Sequence, residues 1–221
     1  VVQDADAKKQ ITVLLNGLPL GTTTATMAGT FSFTPPMNLA DATYSVSVTA
    51  GAPALASNTN TFTIDTSPPL PPVVTTPANN SATNSRRPVI TGTAEPGSTV
   101  TVRIDGVAIG TTTATLGGTF SFTPTADLAV GVRDASATAA DAAGNVSPVS
   151  NTNTFTIDVT PPATPVVSTP ANGSFTSTPR PAISGTAEAF STVTVRVDGV
   201  VIGTTTASMA GTFTFTPTSD L

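Results

Sequence analysis

The side chains that proteins commonly use for chemistry are scarce in this chain of 221 residues, and most of those present are carboxylates. The chain has no Cys and no His, which excludes disulfides, thiol nucleophiles, Cys-ligated metals and the usual general base. Its two lysines, Lys8 and Lys9, leave little for Schiff-base chemistry or phosphate binding. The remaining candidates are 13 Asp and Glu side chains, whose oxygens suit Ca²⁺.

The charge and hydropathy of the chain limit the classes of partner that it could bind. The net charge of -5 and the eight basic residues argue against nucleic-acid binding and against an electrostatic membrane patch. No run of about 18 apolar residues is present, so we expect no membrane insertion in this segment. The chain is rich in Thr and Val and poor in helix-forming patterns, which favours a β-rich extracellular protein.

Internal repetition indicates how these carboxylates must be positioned. Residues 73–128 recur at 166–221, shifted by 93 positions without a gap, and 39 of the 56 pairs are identical. A more diverged copy runs from Ile11 to Leu39. We therefore predict three tandem domains: 1–69, truncated at its N-terminal strands; 70–162, which is complete; and 163–221, truncated before its last strands.

The complete copy reads as short alternating strands separated by turn signals. Seven strands are expected, at 73–76, 88–94, 99–104, 107–115, 118–123, 132–140 and 152–158. The inward-facing side chains would be Val100, Val102, Ile104, Phe120, Phe122, Ala135, Ala137, Ala139, Phe155 and Ile157. Asp105-Gly106 is a preferred pair for a two-residue hairpin turn, and turn chemistry also accounts for Asn16 and Asp198 at the equivalent positions. Seven such strands without helical periodicity predict an all-β fold of Ig-like β-sandwich domains.

The same phrases carry a family resemblance. ITGTAEPGSTVTV, DGVAIGTTTA, GTFSFTP, ATAADAAGNVSPVSNTNTFTID and the Thr-Pro-Pro linker resemble the bacterial Ig-like tandem repeats of large cell-surface proteins. Such repeats occur in biofilm-associated and repeat-containing adhesins and in surface proteins of gliding bacteria. The resemblance implies Ig-like domains arranged as beads on an extracellular rod at the bacterial surface, often with calcium at domain junctions.

Three carboxylates that are distant in sequence are expected to meet where the first copy joins the second. In a seven-strand Ig-like unit, the turn after the second strand and the turn before the last strand lie at the pole that receives the preceding repeat. These turns carry Glu95 and Asp141, and the arriving linker carries Asp65. Since unpaired carboxylates repel, we expect Ca²⁺ there, with the Asn145 amide and carbonyls near Thr66 as further ligands. The alternative is that each Asp serves only its own turn through side-chain to backbone hydrogen bonds.

The other poles offer fewer candidate ligands. Asp158 and Glu188 would bind calcium at the next junction, whose third turn lies beyond Leu221. In the first copy Asp6 aligns with Glu95, but the loop at 52–55 is shorter and lacks the acidic phrase. We therefore expect any metal site at that pole to be degraded.

The segments between the copies are proline-rich. Residues 65–72 and 158–165 each contain several prolines, which favour extended polyproline II geometry and limit bending. A short stiff linker with a junction metal would give a semi-rigid rod. Each repeat would add roughly 35–45 Å, from strands of about seven residues and their turns.

The function expected from this organisation is an extracellular structural stalk or spacer of a bacterial surface adhesin or fibre. Its partners would be the neighbouring repeats of the same chain, and its surface receptor is not indicated. We expect no enzyme, because paired catalytic acids need a cleft that a thin sandwich lacks.

Two alternatives remain open. The chain would be a subunit of a polymerising filament if identical chains completed the truncated domains by inter-chain strand addition. It would be a weak glycan- or ice-binding module if outward threonine rows such as 111–113 bound a ligand. The absence of Trp opposes the second alternative.

Overall fold

The computed structural model of the chain describes residues 9–51 and 54–221, and these residues form 18 β-strands. This all-β architecture confirms the predicted fold class. The described residues contain no helix that is both long enough and apolar enough to cross a membrane. The chain divides into two compact units, Val1–Asp158 and Val159–Leu221. The first unit contains both the first and the second sequence repeats, and the three-domain division stays a prediction.

The first repeat forms one sheet of five strands. They are β1 (Gln10–Leu15), β2 (Leu18–Thr24), β3 (Ala42–Ala50), β4 (Leu55–Ala56) and β5 (Asn60–Ile64). The sheet runs in the order β2-β1-β3-β4, and β5 also pairs with β3. Pairing of Ala42 with Ile64 fixes the register of β3 and β5 and brings the residues just outside both strands together.

The second repeat forms a complete two-sheet sandwich. Its strands are β6 (Val73–Thr76), β7 (Ser81–Thr83), β8 (Ile90–Thr93), β9 (Thr99–Ile104), β10 (Val107–Thr113), β11 (Thr119–Phe122), β12 (Gly131–Ala140) and β13 (Asn153–Ile157). One sheet has the order β10-β9-β12-β13-β7 and the other has the order β11-β8-β6. All seven expected strands are present with small shifts at their ends. The short strand β7, which is parallel to β13, was not expected.

The core of the second repeat combines large apolar side chains with a row of alanines on β12. Its buried cluster joins both sheets and consists of Val74, Ile90, Val100, Val102, Ile104, Ala114, Phe120, Ala135, Ala137, Phe155 and Ile157. The predicted inward faces of β9, β11, β12 and β13 are therefore confirmed. A Cβ atom at Gly92 would collide with the carbonyl oxygen of Val73 and with the ring of Phe120. Only glycine allows β6 and the Phe120 ring to approach β8 this closely.

Two asparagines tie β6 to the opposite sheet. Asn151 Oδ1 accepts a hydrogen bond from the Val74 N–H at 2.8 Å. The buried Asn153 amide donates to the carbonyl oxygens of Val74 at 3.1 Å and Pro77 at 2.9 Å. These side chains bond backbone groups where the chain leaves β6 and crosses to β7 in the other sheet. Asn58 and Asn60 are the first-repeat equivalents, and both are exposed.

The second unit contains the third repeat. Its strands are β14 (Val166–Thr169), β15 (Ile183–Thr186), β16 (Thr192–Val197), β17 (Val200–Thr206) and β18 (Thr212–Phe215). They form a three-stranded sheet, β14-β15-β18, and a two-stranded sheet, β16-β17. The buried cluster consists of Ile183, Val193, Val195, Ala207 and Phe213, which correspond to core positions of the second repeat.

The asparagine contacts predict a difference between equivalent substitutions in two repeats. Asn153→Ala would leave the Pro77 carbonyl oxygen without its amide partner in a buried region. We expect the free energy of unfolding of the second repeat, measured in urea, to be about 1–3 kcal/mol lower than in the wild type. Asn60→Ala is the matched control, because Asn60 is exposed and its amide oxygen accepts a hydrogen bond from the Asn58 side chain at 3.0 Å. Equal destabilisation by the two substitutions would contradict this role of Asn153.

Candidate junction site between the first two repeats

The linker that leaves the first repeat is held by Asp41, the residue before β3. The Thr66 N–H donates to Asp41 Oδ2 at 3.1 Å, and the Thr66 hydroxyl donates to Asp41 Oδ1 at 2.9 Å. The Ser67 hydroxyl adds a third donor to Asp41 Oδ2 at 3.1 Å. The register of β3 and β5 places Asp41 beside the linker, so the first repeat holds the start of its own linker.

The linker residue Asp65 uses its carboxylate locally and its carbonyl across the junction. Its Oδ1 accepts the Ser67 N–H at 3.0 Å, which is the local turn contact expected of an Asp in this position. Its backbone carbonyl accepts a hydrogen bond from Asn145 Nδ2 at 2.9 Å. Asp65 and Asn145 are 80 positions apart, and their contact joins the first linker to the second repeat.

Asn145 and Asp141 lie at the two ends of the loop that follows β12. The carboxylate of Asp141 accepts the Asn145 N–H at 2.9 Å and the Asn145 side-chain amide at 2.8 Å. The backbone closes the same loop, since the Asp141 N–H donates to the Asn145 carbonyl at 3.1 Å. Both side chains are half-buried. The loop therefore holds the Asn145 amide in a defined direction toward the linker.

Glu95 lies in the turn after β8, as expected, and its side chain is exposed. Its backbone carbonyl accepts hydrogen bonds from the Ser98 N–H at 3.1 Å and the Ser98 hydroxyl at 2.7 Å. Among the described residues, no three Asp or Glu side chains come together in a group that would hold a metal ion. The structure thus brings together Asp65, Asp141 and Asn145, without a cluster of three carboxylates.

The donor chemistry of this junction fits calcium only in part. Carboxylate and carbonyl oxygens are present at Asp141 and Asp65, and calcium prefers such ligands. Asn145, however, presents its NH₂ group to both of them, so its amide would have to turn before its oxygen could bind a cation. The arrangement favours a hydrogen-bond donor, and calcium at Asp65, Glu95, Asp141 and Asn145 stays a prediction.

The candidate ligands of the next junction lie in different units. The N–H of Asp158 donates to the Thr83 carbonyl at 2.9 Å within the first unit. In the second unit, Glu188 Oε2 accepts the Ala163 N–H at 3.4 Å, and the Glu188 carbonyl accepts the Ser191 hydroxyl at 2.7 Å. Calcium at Asp158 and Glu188 also stays a prediction. Asp6, with part of the loop at 52–55, lies outside the described residues.

The hairpin residue Asp105 does more than the turn prediction required. Its φ of 52° confirms the left-handed turn conformation. Its carboxylate also forms an ion pair with Arg133 at 3.1 Å and accepts the Asp134 N–H at 3.0 Å. Asn16 accepts the Ser45 N–H at 2.9 Å in the first repeat. This side chain therefore fastens the hairpin to the next strand of the sheet in both repeats.

Hydrogen bonds lower the pKa values of two carboxyl groups at the junction. The Thr66 N–H is the largest cause for Asp41, followed by the Thr66 hydroxyl. The Asn145 side-chain amide is the largest cause for Asp141. In each case the donors stabilise the charged form, so both groups accept these hydrogen bonds as carboxylates at neutral pH.

Sequence reasoning missed Asp41. The residue at its position in the second repeat is Val130, so the comparison of repeats gives no signal there. Its role follows from the strand register that pairs Ala42 with Ile64. That pairing links segments more than 20 residues apart, and the sequence of the loop alone does not reveal it.

A protein-family comparison finds a match within residues 75–159. Residues 75–159 match a family model described as a bacterial Ig-like domain. No curated protein matches the chain at a significant level.

The chain is also similar to several solved structures. A biofilm-associated protein BSP domain is 28% identical, covers 70% of this chain and 26% of its own, and has a TM-score of 0.33. A tetra-tandem repeat from the extending region of a large adhesion protein is 22% identical to this chain, with a TM-score of 0.37. The match covers 97% of this chain and 59% of that protein's chain. Fibronectin(III)-like modules of Clostridium thermocellum CbhA are 18% identical to this chain, with a TM-score of 0.45. The match covers 71% of this chain and 82% of the chain of those modules. The chain spans about a quarter of the biofilm-associated structure.

The contacts of Asp41 predict how its pKa changes when the Thr66 hydroxyl is removed. Because donors hold its pKa below the ordinary value of 3.8, its stabilising effect is complete above that value. The effect is lost as the pH falls through the lower folded value. Thr66→Val removes one donor and should raise the pKa of Asp41, as measured by NMR titration of the carboxyl carbon. Thr63→Val, which removes a hydroxyl bonded to Thr43, is the control and should leave the titration unchanged. An unchanged titration in Thr66→Val would contradict the role of this hydrogen bond.

Proposed function

We propose that the chain is part of an extracellular structural stalk of a bacterial surface adhesin or fibre, and the match of residues 75–159 to the model of a bacterial Ig-like domain supports this proposal. The observation that carries the proposal is the direct contact between the first linker and the second repeat, through Asp65 and Asn145. A stalk requires each repeat to constrain the direction of the next, and a contact of this kind does so.

The composition of the chain supports the same function. The repeats bury Val, Ala and Phe, and Thr occupies many exposed strand positions, so the surface is polar with little charge. Near-identical copies suit a spacer, since a spacer needs no individual specificity in each unit. The proposal assigns no catalytic role to the chain, and its partners are the adjacent repeats.

The filament alternative would use the open sheet face of the first repeat. The inner sheet face of the first repeat lines an open cavity of about 490 Å³, with Val13, Leu15, Phe33 and Phe62 among its walls. In the second repeat the equivalent residues are covered by β6 and β8, whose Val74 and Ile90 belong to the same core cluster. Strands from an identical chain would bury this face by strand addition.

The length of single particles tests the stalk. Variants that carry one or two additional copies of residues 70–162 should appear in electron micrographs as particles longer by roughly 35–45 Å per copy. Compact particles whose diameter grows without elongation would contradict the stalk. Particles of the unaltered chain that join end to end with rising concentration would instead support the filament.

The calcium prediction has its own measurement. If calcium binds at the first junction, the melting temperature of the full chain should rise when calcium replaces chelator, since a ligand at 100 times its Kd stabilises by about 2.7 kcal/mol. Asp141→Asn should abolish the rise, and Asp105→Asn, a substitution away from the junction, should preserve it. Equal melting temperatures of the wild type in calcium and in chelator would contradict calcium at this site.

A further inference from the structure

We propose that Asn145 acts as a hydrogen-bonded clip that fixes the second repeat to the first linker without a metal ion. The clip consists of the Asn145 side-chain amide, the Asp141 carboxylate and the Asp65 carbonyl. It rests on the proposed stalk function for its biological meaning. Its physical content is a restriction of the angle between two repeats, which is measurable independently of particle length.

The geometry uses both amide hydrogens of Asn145. Nδ2 lies 2.9 Å from the Asp65 carbonyl oxygen and 2.8 Å from Asp141 Oδ2, and both partners are acceptors. If the amide were turned over, its oxygen would face two acceptors and both hydrogen bonds would be lost. The NH₂ group therefore occupies the position between two oxygens that a cation would otherwise fill.

The loop that carries Asn145 is set by the core. Strand β12 buries Ala139, and the loop 141–145 starts directly after its last residue. A β-bridge between Ala140 and Val146 joins the two ends of the loop, and the Gly144 N–H donates to the Asp141 carbonyl at 3.3 Å. The position of the loop is therefore set by the sandwich, and the Asp65 carbonyl of the linker is one of the two acceptors that set the direction of the amide.

The linker is restrained from the other side as well. Asp41 binds Thr66 and Ser67, so the residues next to Asp65 are fixed to the first repeat. Pro69 and Pro72 are buried, although they belong to the linker. A hydrogen bond to Asp65 thus acts on a segment with few free dihedral angles, and it transmits the orientation of the second repeat to the first.

Each carboxylate in this group already has hydrogen-bond donors. Asp141 accepts two hydrogen bonds from Asn145, Asp65 accepts one from Ser67, and Asp41 accepts three from Thr66 and Ser67. Like-charge repulsion, the reason to expect a cation, is countered by these donors. The clip accounts for a closed junction with the side chains of the chain itself.

The experiment measures the distance between two spin labels in the full chain, in the presence of chelator. Because the sequence has no Cys, Thr22→Cys and Thr111→Cys create unique labelling sites. Both residues are exposed at equivalent positions of β2 and β10. Pulsed electron paramagnetic resonance then gives the distribution of distances between the two repeats.

We expect one narrow distribution for the wild type in chelator and a broadened one for Asn145→Ala. The broadening is bounded by about 16 Å, the end-to-end distance of a fully flexible chain of eight residues. Asn145→Asp is the second variant, because it preserves the size of the side chain but removes the donor, and it should broaden the distribution equally. Asn84→Ala, an exposed loop substitution in the same repeat, should leave it narrow.

Two outcomes would overturn the clip. A wild-type distribution that is broad in chelator and narrow only with calcium would show that a metal holds the junction. Asn145→Ala and Asn145→Asp distributions as narrow as that of the wild type would show that the amide does not hold it. Far-UV circular dichroism and urea unfolding establish that each variant is folded. Since the readout is a distance between two labels within one chain, a stalk that failed the length test would leave this result unaffected.

Discussion

The apolar core of the two-sheet sandwich is the constraint on which the rest of the second repeat depends. Small residues of β12 such as Ala135 and Ala137 are fully buried in it beside larger ones such as Phe155. Gly92 is required where a Cβ atom would meet the Val73 carbonyl and the Phe120 ring. Once the core fixes β12, the loop that begins after Ala140 has a fixed starting point. The junction contacts of that loop are therefore a consequence of core packing.

Backbone N–H and C=O groups that strand pairing leaves unbonded need side-chain partners. In the second repeat, uncharged side chains provide hydrogen bonds to such groups. Strand β12 pairs with β13 only as far as Ala135. Beyond that point the N–H groups of Ala137 and Ala139 donate to the hydroxyls of Ser150 and Ser147, each at 2.9 Å. Asn, Ser and Thr provide these contacts at no cost of burying charge. In the described residues, no buried side-chain nitrogen or oxygen lacks a hydrogen-bond partner.

The alternation of apolar residues and the turn residues in the sequence correctly predicted strands and hairpins, which depend on short segments of the chain. The strict alternation of residues 99–104 and the turn at Asp105-Gly106 gave the correct strand, face and hairpin. Strand β7 escaped prediction because three residues in parallel pairing with β13 leave no periodic signal. The candidate junction site was likewise predictable only in part. Residues at turn positions were identified from sequence, whereas the direction of the Asn145 amide depends on two acceptors that the fold brings together.

The two linkers have similar sequences, but the repeats that precede them differ at one contact position. Both linkers start with Asp and continue to a pair of prolines, so their backbone preferences are alike. Asp41 binds the first linker through Thr66 and Ser67, but the equivalent residue of the second repeat is Val130, which has no side-chain acceptor. The carboxylate contact that Asp41 makes with the first linker therefore has no counterpart at position 130. Asp41 is exposed and lies just before β3, so a substitution there can change how the first linker is held without altering a buried core residue.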